Sequence, residues 1–288
     1  MIVLLLASRY QSTGASQEVL VLATTTSTYD SGLLERLNPV FEARFNVRVK
    51  VIAVGTGAAL RHGRDGDADV IIVHARAAED EFLKGGWGIN RRDLMFNDFV
   101  IIGPKDDPAG IRDSASAVEA FRRIAGSESL FISRGDNSGT NMKEQEIWER
   151  AGISPGGEWY LAVGKGMGDT IVQADQMGAY TLSDRGTFIA LRDRISLIIL
   201  VEGPIKGGDP LLINRYGVIA VNPARHPGVN YQMAMAYIGF LTSPQGQRII
   251  ADFKEDGEQL FYPTALSEEP NFAQYVPQGW PGPEEGGP

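Results

Sequence analysis

Three short segments rich in Ser, Thr and Gly carry the side chains best suited to chemistry: residues 24–28, 55–57 and 133–140. Each follows a predicted strand and precedes a predicted helix. Free backbone N–H groups at a helix N-terminus bind anions, and hydroxyl groups add further donors. Helix capping explains any one segment, because Ser and Thr are preferred N-cap residues. Three such segments, one with five consecutive hydroxyl residues, favour a shared oxyanion pocket.

Arg134 is the positive charge that the third segment brings to such a pocket. Asp136 is placed to pair with it and to orient its guanidinium group. Residues 166–170 form a weaker fourth candidate of the same kind. Arg185 fits two interpretations equally well, a second cation at the pocket or a surface salt bridge with Asp184.

Signals for catalysis are few. The chain has no Cys and only three His residues, which are too scattered for a recognisable metal motif. Gly55 and Gly57 lack the third glycine of a dinucleotide fingerprint, and no nucleophile elbow is present. The sequence therefore predicts a protein that is not an enzyme and has neither cofactor nor metal.

Apolar runs that alternate with helical patterns must position these segments. Runs of strand length are followed by amphipathic helices along most of the chain, which is typical of an α/β protein with largely parallel, buried sheets. Pro39 interrupts one helical pattern and should kink or divide that helix. The predicted strands cover 18–23, 47–54, 69–73, 99–102, 130–132, 179–182, 197–201 and 216–221.

The acidic composition argues against nucleic acid or an anionic membrane as a partner. The 288 residues carry a formal net charge of −9, but eight acidic residues and one lysine lie in the stretch 252–288. The candidate anion segments therefore lie in a nearly balanced part of the chain. The first 17 residues have the outline of a signal remnant or are disordered, and residues 266–288 form an acidic, Pro/Gly-rich tail.

Five motifs resemble one family. They are ATTTST at 23–28, DVIIVHA at 69–75, NRRDLMFNDFVIIGPKDDPAG at 90–110, FISRGDNSGT at 131–140 and AYTLSDRGT at 179–187. The chain is similar through these motifs to the tungstate-binding proteins of bacterial and archaeal ABC importers. The resemblance extends from about Val19 to Thr264.

The resemblance implies a two-lobed type II periplasmic binding-protein fold with two hinge-crossing strands. Residues 18–100 plus 218–265 would form lobe 1, and residues 101–217 would form lobe 2. It also implies ligand contacts by nine residues: Thr25, Thr26, Ser27, Thr56, Arg134, Ser138, Gly139, Thr140 and Thr170.

The implied function is capture of tungstate in the interlobe cleft and its delivery to an ABC-type permease. The expected protein is monomeric and periplasmic or otherwise extracytoplasmic. Tungstate is a fully ionised dianion, so a pocket made only of donors suits all its oxygens, whereas phosphate keeps a proton that needs an acceptor. Molybdate or another oxyanion remains an alternative ligand, and an enzyme acting on a phosphate-bearing substrate remains an alternative function.

Overall fold

The computed structural model describes residues 17–255 and 257–265. The signal remnant predicted for residues 1–17 lies outside this part of the chain except for Gln17. The predicted acidic tail at 266–288 lies wholly outside it.

Strands and helices alternate through the described residues, as the apolar pattern predicts. The strands are β1 (Glu18–Thr25), β2 (Val47–Val54), β3 (Val70–Val73), β4 (Gly88–Gly103), β5 (Phe131–Ser133), β6 (Tyr160–Ala162), β7 (Thr181–Asp184), β8 (Ile198–Val201), β9 (Ile213–Val221), β10 (Lys254–Glu255), β11 (Glu258–Gln259) and β12 (Tyr262–Pro263). The helices are α1 (Thr26–Asp30), α2 (Leu33–Phe45), α3 (Thr56–Asp65), α4 (Arg76–Lys84), α5 (Ala117–Gly126), α6 (Gly139–Ala151), α7 (Met167–Met177), α8 (Arg185–Leu191), α9 (Tyr231–Leu241) and α10 (Pro244–Asp252).

The main sheet has apolar residues on both faces. Its strand order is β12-β4-β9-β3-β1-β2. Along β3, Val70 and Ile72 belong to one buried cluster, while Ile71 and Val73 belong to the cluster on the other face. A strand covered on both sides needs a continuous apolar run, which is what the sequence shows at this point.

The prediction of largely parallel sheets is only partly correct. Strand β1 is parallel to β2 and β3, but β9 is antiparallel to both β3 and β4. The reason is the path of the chain, because β4 runs away from the first part of the sheet and β9 returns beside it. The sheet is therefore mixed.

Strand β4 is the longest strand and changes partners along its length. Residues from Gly88 to Asp98 pair with β9, whereas Phe99 and the following residues pair with β7 and β8. Only the apolar second half of β4 was predicted from the sequence, since the first half carries many polar and charged residues. Strands β4 and β9 thus connect two groups of elements, each with its own buried clusters. The lobe boundaries at 100/101 and 217/218 remain a prediction.

Helix α2 is continuous from Leu33 to Phe45 and contains Pro39. The prediction that Pro39 could divide the helix is wrong. Pro39 is exposed, and the apolar side chains Leu33, Leu37 and Phe41 on the opposite face are buried in the core. Burial of this face outweighs the loss of one backbone hydrogen bond.

Candidate functional site

The carboxyl ends of three adjacent strands meet at one edge of the main sheet. In the parallel pairs formed by β1, Thr25 lies beside Val54 of β2, and Thr24 lies beside Ile72 of β3. The hydroxyl group of Thr24 donates to the carbonyl oxygen of Ile72 at 2.9 Å. The residues that follow these strands therefore share this edge, which is where open α/β folds bind ligands.

A cleft of about 490 Å³ opens at this edge. Thr26, Ser27 and Arg134 line the cleft. Asn97 and Tyr216, from the two connecting strands β4 and β9, line it as well. Three of the nine predicted ligand residues thus line one cavity. Six do not reach its surface: Thr25, Thr56, Ser138, Gly139, Thr140 and Thr170.

Arg134 is buried in the wall of the cleft, with 5% of its surface exposed. Its Nη2 donates to Oδ2 of Asp136 at 2.6 Å, so the pair expected from the sequence is formed. Oδ1 of Asp136 accepts from the backbone N–H of Ser138 at 3.1 Å. Nε of Arg134 is buried and has no hydrogen-bond partner among the described residues. One donor of a fixed guanidinium group therefore remains available to an anion.

Glu144 of α6 accepts hydrogen bonds that stabilise the loop carrying Arg134, residues 133–138. Its carboxylate accepts from Oγ of Ser133 and from the hydroxyl group of Tyr160, both at 2.7 Å, and from Nε1 of Trp148 at 3.1 Å. Burial raises the pKa of Glu144, and these hydrogen bonds partly oppose that effect. This role of Glu144 was not predicted, since nothing in the local sequence pattern separates Glu144 from other helical glutamates.

Helix α6 begins at the Arg134 loop. Oγ of Ser138, the N-cap residue, accepts from the backbone N–H of Asn141 at 3.2 Å. Gly139 and Thr140, in the first turn, are buried. A Cβ atom at Gly139 would lie 2.2 Å from Cε1 of His74, so only glycine allows the helix to approach this ring.

Replacing Gly139 with Ala is expected to lower the free energy of unfolding by about 1–3 kcal/mol, because the added methyl group overpacks a buried ring. Urea denaturation measures this cost. Gly126→Ala is the matched control, since Gly126 also lies in a helix and nothing is within 4 Å of its Cβ position. Equal stability of the two variants would show that the His74 contact is not tight.

The predicted threonines differ in what their hydroxyl groups do. Oγ1 of Thr25 caps α1 and contacts the hydroxyl group of Thr28 at 2.7 Å. The hydroxyl group of Thr170 donates to the carbonyl oxygen of Gly166 at 2.8 Å. Oγ1 of Thr56, at the start of α3, is buried and without a partner in residues 17–255 and 257–265. Of these three hydroxyl groups, only that of Thr56 is unpartnered.

His74 lies beside Gly139 and Tyr216 but was not predicted as a site residue. It follows β3 directly, as Thr26 follows β1, and this common position at the sheet edge was the available signal. Nδ1 of His74 is 2.9 Å from Oδ1 of Asn214, and Nδ2 of Asn214 donates to Oδ1 of Asn97 at 2.7 Å. The imidazole ring packs on Tyr216 with ring centroids 4.8 Å apart.

The electrostatic environment keeps His74 neutral. Burial lowers its pKa to about 4, although the Asn214 hydrogen bond and the charge of Asp184 act in the opposite direction, and Arg134 lowers it further. Its Nε2 is buried with no hydrogen-bond partner in the described part of the chain. The unpartnered buried polar atoms thus include groups from Thr56, His74 and Arg134.

Both interpretations of Arg185 made from the sequence are wrong. Its guanidinium group is buried and donates to both carboxylate oxygens of Asp98, at 2.7 and 2.8 Å, and to Glu202 at 2.5 Å. It therefore neither lines the cleft nor pairs with Asp184 on the surface. Asp184 instead caps α8 by accepting from the backbone N–H and the hydroxyl group of Thr187, both at 2.8 Å.

No cluster of three or more His, Cys, Asp or Glu residues suited to a metal ion occurs within the described ranges. Fold and cleft instead combine two connecting strands, helix N-termini and a buried arginine around one cavity. This combination defines the class of periplasmic binding proteins. The family model of the PBP superfamily domain matches residues 11–245.

Individual related proteins indicate which family within this superfamily the chain resembles. A protein of Haloferax volcanii named "Putative ABC transporter anion-binding protein" is 64% identical over 94% of this chain and 79% of its own length. The tungstate-binding protein TupA of Peptoclostridium acidaminophilum is 44% identical over 85% of this chain and 86% of its own length. In the solved structure of the tungstate ABC transporter from Geobacter sulfurreducens, the matching chain is 50% identical. The match covers 83% of this chain and 100% of that one, with a TM-score of 0.73.

The chain belongs to the PBP superfamily and, within it, to the family of the tungstate-binding proteins TupA. The predicted two-lobed binding-protein fold and the resemblance found in the sequence are thereby confirmed.

Proposed function

We propose that this protein captures tungstate between its two lobes and delivers it to an ABC-type permease. The observation that carries the proposal is the buried Nε of Arg134, which lacks a partner in the described structure although the guanidinium group is already oriented by Asp136. A buried cationic donor is costly unless an acceptor satisfies it. The names of the related proteins in Peptoclostridium and Geobacter support tungstate as that acceptor.

The donors proposed to surround the ion are the nine residues identified from the sequence: Thr25, Thr26, Ser27, Thr56, Arg134, Ser138, Gly139, Thr140 and Thr170. The strongest support concerns Thr26, Ser27 and Arg134, which line the cleft, and Thr56, whose hydroxyl group is free of partners in the described residues. Gly139 and Thr140 add backbone N–H groups at the start of a 13-residue helix.

Two carboxylates near the cleft already accept hydrogen bonds from protein groups, which supports a fully deprotonated ligand. Asp136 is occupied by Arg134, and Asp184 is occupied by Thr187. Asp30, Asp169 and Glu255 also line the cavity, so an anion is expected beside the donors and away from these three side chains. A dianion with four acceptor oxygens needs no protein acceptor, whereas hydrogen phosphate needs one.

The setting proposed for this activity is extracytoplasmic, with a monomeric protein and no resident cofactor. In the described residues, no helix combines the length and the apolar character required to cross a membrane. Closure of the lobes would complete the set of donors around the ion, and the closed form would dock on the permease.

Competitive calorimetry with tungstate, molybdate and sulfate tests the proposal. Tungstate is expected to bind, and sulfate is expected to displace it poorly. Competition with molybdate shows which of the two anions, tungstate or molybdate, the protein binds more tightly. A thermal-shift screen with phosphorylated metabolites tests the enzymatic alternative. Stabilisation by those metabolites and not by tungstate would contradict the proposed function.

Replacing Thr56 with Val is expected to change stability and binding in opposite directions. Loss of an unpartnered buried hydroxyl group should raise the free energy of unfolding of the ligand-free protein, by about 1 kcal/mol. Loss of a donor to an anion should weaken tungstate binding by about 10-fold or more. Urea denaturation and calorimetry measure the two effects.

The control for this variant is Thr242→Val. The hydroxyl group of Thr242 donates to the carbonyl oxygen of Ile238 at 2.8 Å, at the end of α9. This variant should lose stability slightly and keep its tungstate affinity. If Thr56→Val behaves in the same way, the hydroxyl group of Thr56 does not contact the ligand.

A further inference from the structure

His74 has one nitrogen committed to the protein and one nitrogen free. Oδ1 of Asn214 is an acceptor, so Nδ1 of His74 carries the ring proton and donates it at 2.9 Å. Nδ2 of Asn214 donates to Oδ1 of Asn97 and to the hydroxyl group of Tyr216, at 2.7 and 3.3 Å, which sets the orientation of this amide. In the neutral ring, Nε2 therefore presents a lone pair, and it has no partner in the described structure.

The ring of His74 lies beside two parts of the proposed ligand site, Gly139 and Tyr216. His74 lies between the end of β3 and the start of α6, where its ring leaves no room for a Cβ atom at Gly139. The ring also packs on Tyr216, which lines the cleft. With 8% of its surface exposed, His74 is as well covered as the buried Arg134.

A neutral His74 conflicts with a fully ionised oxyanion. Every oxygen of tungstate is an acceptor, and an acceptor placed against the lone pair of Nε2 is repelled. A proton on Nε2 removes the conflict, since the ring then donates at both nitrogens.

Resting on the proposed function, we infer that His74 is a further ligand contact and that tungstate binding is coupled to the uptake of one proton from solvent by Nε2 of His74. The new N–H bond carries a positive charge that faces the dianion. An oxyanion that keeps a proton, such as hydrogen phosphate, would donate to the lone pair and bind without proton uptake. His74 thus distinguishes the two kinds of anion.

The groups around His74 favour a neutral ring in the free protein, and a bound dianion favours its protonation. In the free protein, burial lowers the pKa of His74 to about 4, and Arg134 acts in the same direction. Asp184 raises the pKa, Tyr216 is the titratable group of β9 against the ring, and the contacts with Asn214 and Gly139 add no charge. A bound dianion adds negative charge and raises the pKa of His74, which increases the protonated fraction.

Calorimetry of tungstate binding in two buffers of different ionisation enthalpy counts the protons taken up. We expect about one proton per tungstate near pH 7.5, and an affinity that rises about tenfold for each unit by which the pH falls from 8.5 to 7. His74→Gln should bind with no proton uptake and with little pH dependence, because an amide donates without titrating. His62→Gln, on the half-exposed side of α3, should behave as the unmodified protein.

A second variant tests the coupling through the other ring nitrogen. Asn214→Asp places a carboxylate against Nδ1, which raises the pKa of His74 in the free protein and should reduce the proton uptake. Tungstate binding without proton uptake by the unmodified protein would overturn the inference and leave the proposed function standing. Uptake that persists in both variants would also overturn it. Absence of tungstate binding by the unmodified protein would overturn the proposed function itself.

Discussion

Replacing Arg134 with Gln is expected to weaken tungstate binding by about a hundredfold or more. The change removes a charge-assisted donor, worth about 1.5–3 kcal/mol, and leaves the carboxylate of Asp136 without its cation beside an anionic ligand. The fold should persist, because Oδ1 of Asp136 still accepts from Ser138 and Glu144 still anchors the loop. Calorimetry gives the affinity, and thermal denaturation without ligand reports on the fold.

Arg248→Gln is the matched control for this variant. Arg248 is exposed on α10 and bonds only to the carbonyl oxygen of Pro244 in its own helix, among the interactions described. Its replacement should leave tungstate affinity unchanged. Unchanged affinity in Arg134→Gln would instead refute the assignment of the anion site to this arginine.

Asp98→Ala is expected to cause the largest loss of stability, about 3 kcal/mol or more in the free energy of unfolding. Asp98 is fully buried on β4 and accepts both arms of the Arg185 guanidinium group. Removal of one partner of a buried ion pair leaves the other charge poorly compensated, at a cost of about 3–5 kcal/mol. Glu202 remains as a partner of Arg185, but it is partly exposed and shields it less.

Urea denaturation of Asp98→Ala and Glu81→Ala compares a buried with an exposed ion pair. Glu81 pairs with Lys84 on the surface of α4, where both side chains are more than half exposed. Such a pair contributes about 0–1 kcal/mol. Equal losses in the two variants would show that the Asp98–Arg185 pair adds no more to stability than an exposed one.

The positions of the strand ends could be predicted because the apolar pattern is local. Strand β2, for example, has the predicted limits of residues 47–54. The first half of β4 was missed, since side chains such as Arg91 and Arg92 break the apolar run. Arg91 is nevertheless buried, because Glu79 and Asp93 accept from its guanidinium group at 2.6 and 2.7 Å.

The candidate site could be predicted only where its parts are close in sequence. The pairing of Arg134 with Asp136 depends on a separation of two residues, which the sequence displays directly. The buried ion pair of Arg185 could not be predicted, because its partner Asp98 lies 87 residues earlier. A neighbouring acid, Asp184, gave a plausible but incorrect partner.

The sequence by itself determined the alternating elements, the hydroxyl-rich and glycine-rich segments at the strand ends, and the oriented Arg134. These features depend on periodicity and on short spacings along the chain. Only the tertiary structure decided that β9 returns antiparallel to β4, and that His74 meets Asn214, 140 residues later. The physical reason is that such contacts depend on strand direction and register, which bring distant residues together and leave no periodic trace in the sequence.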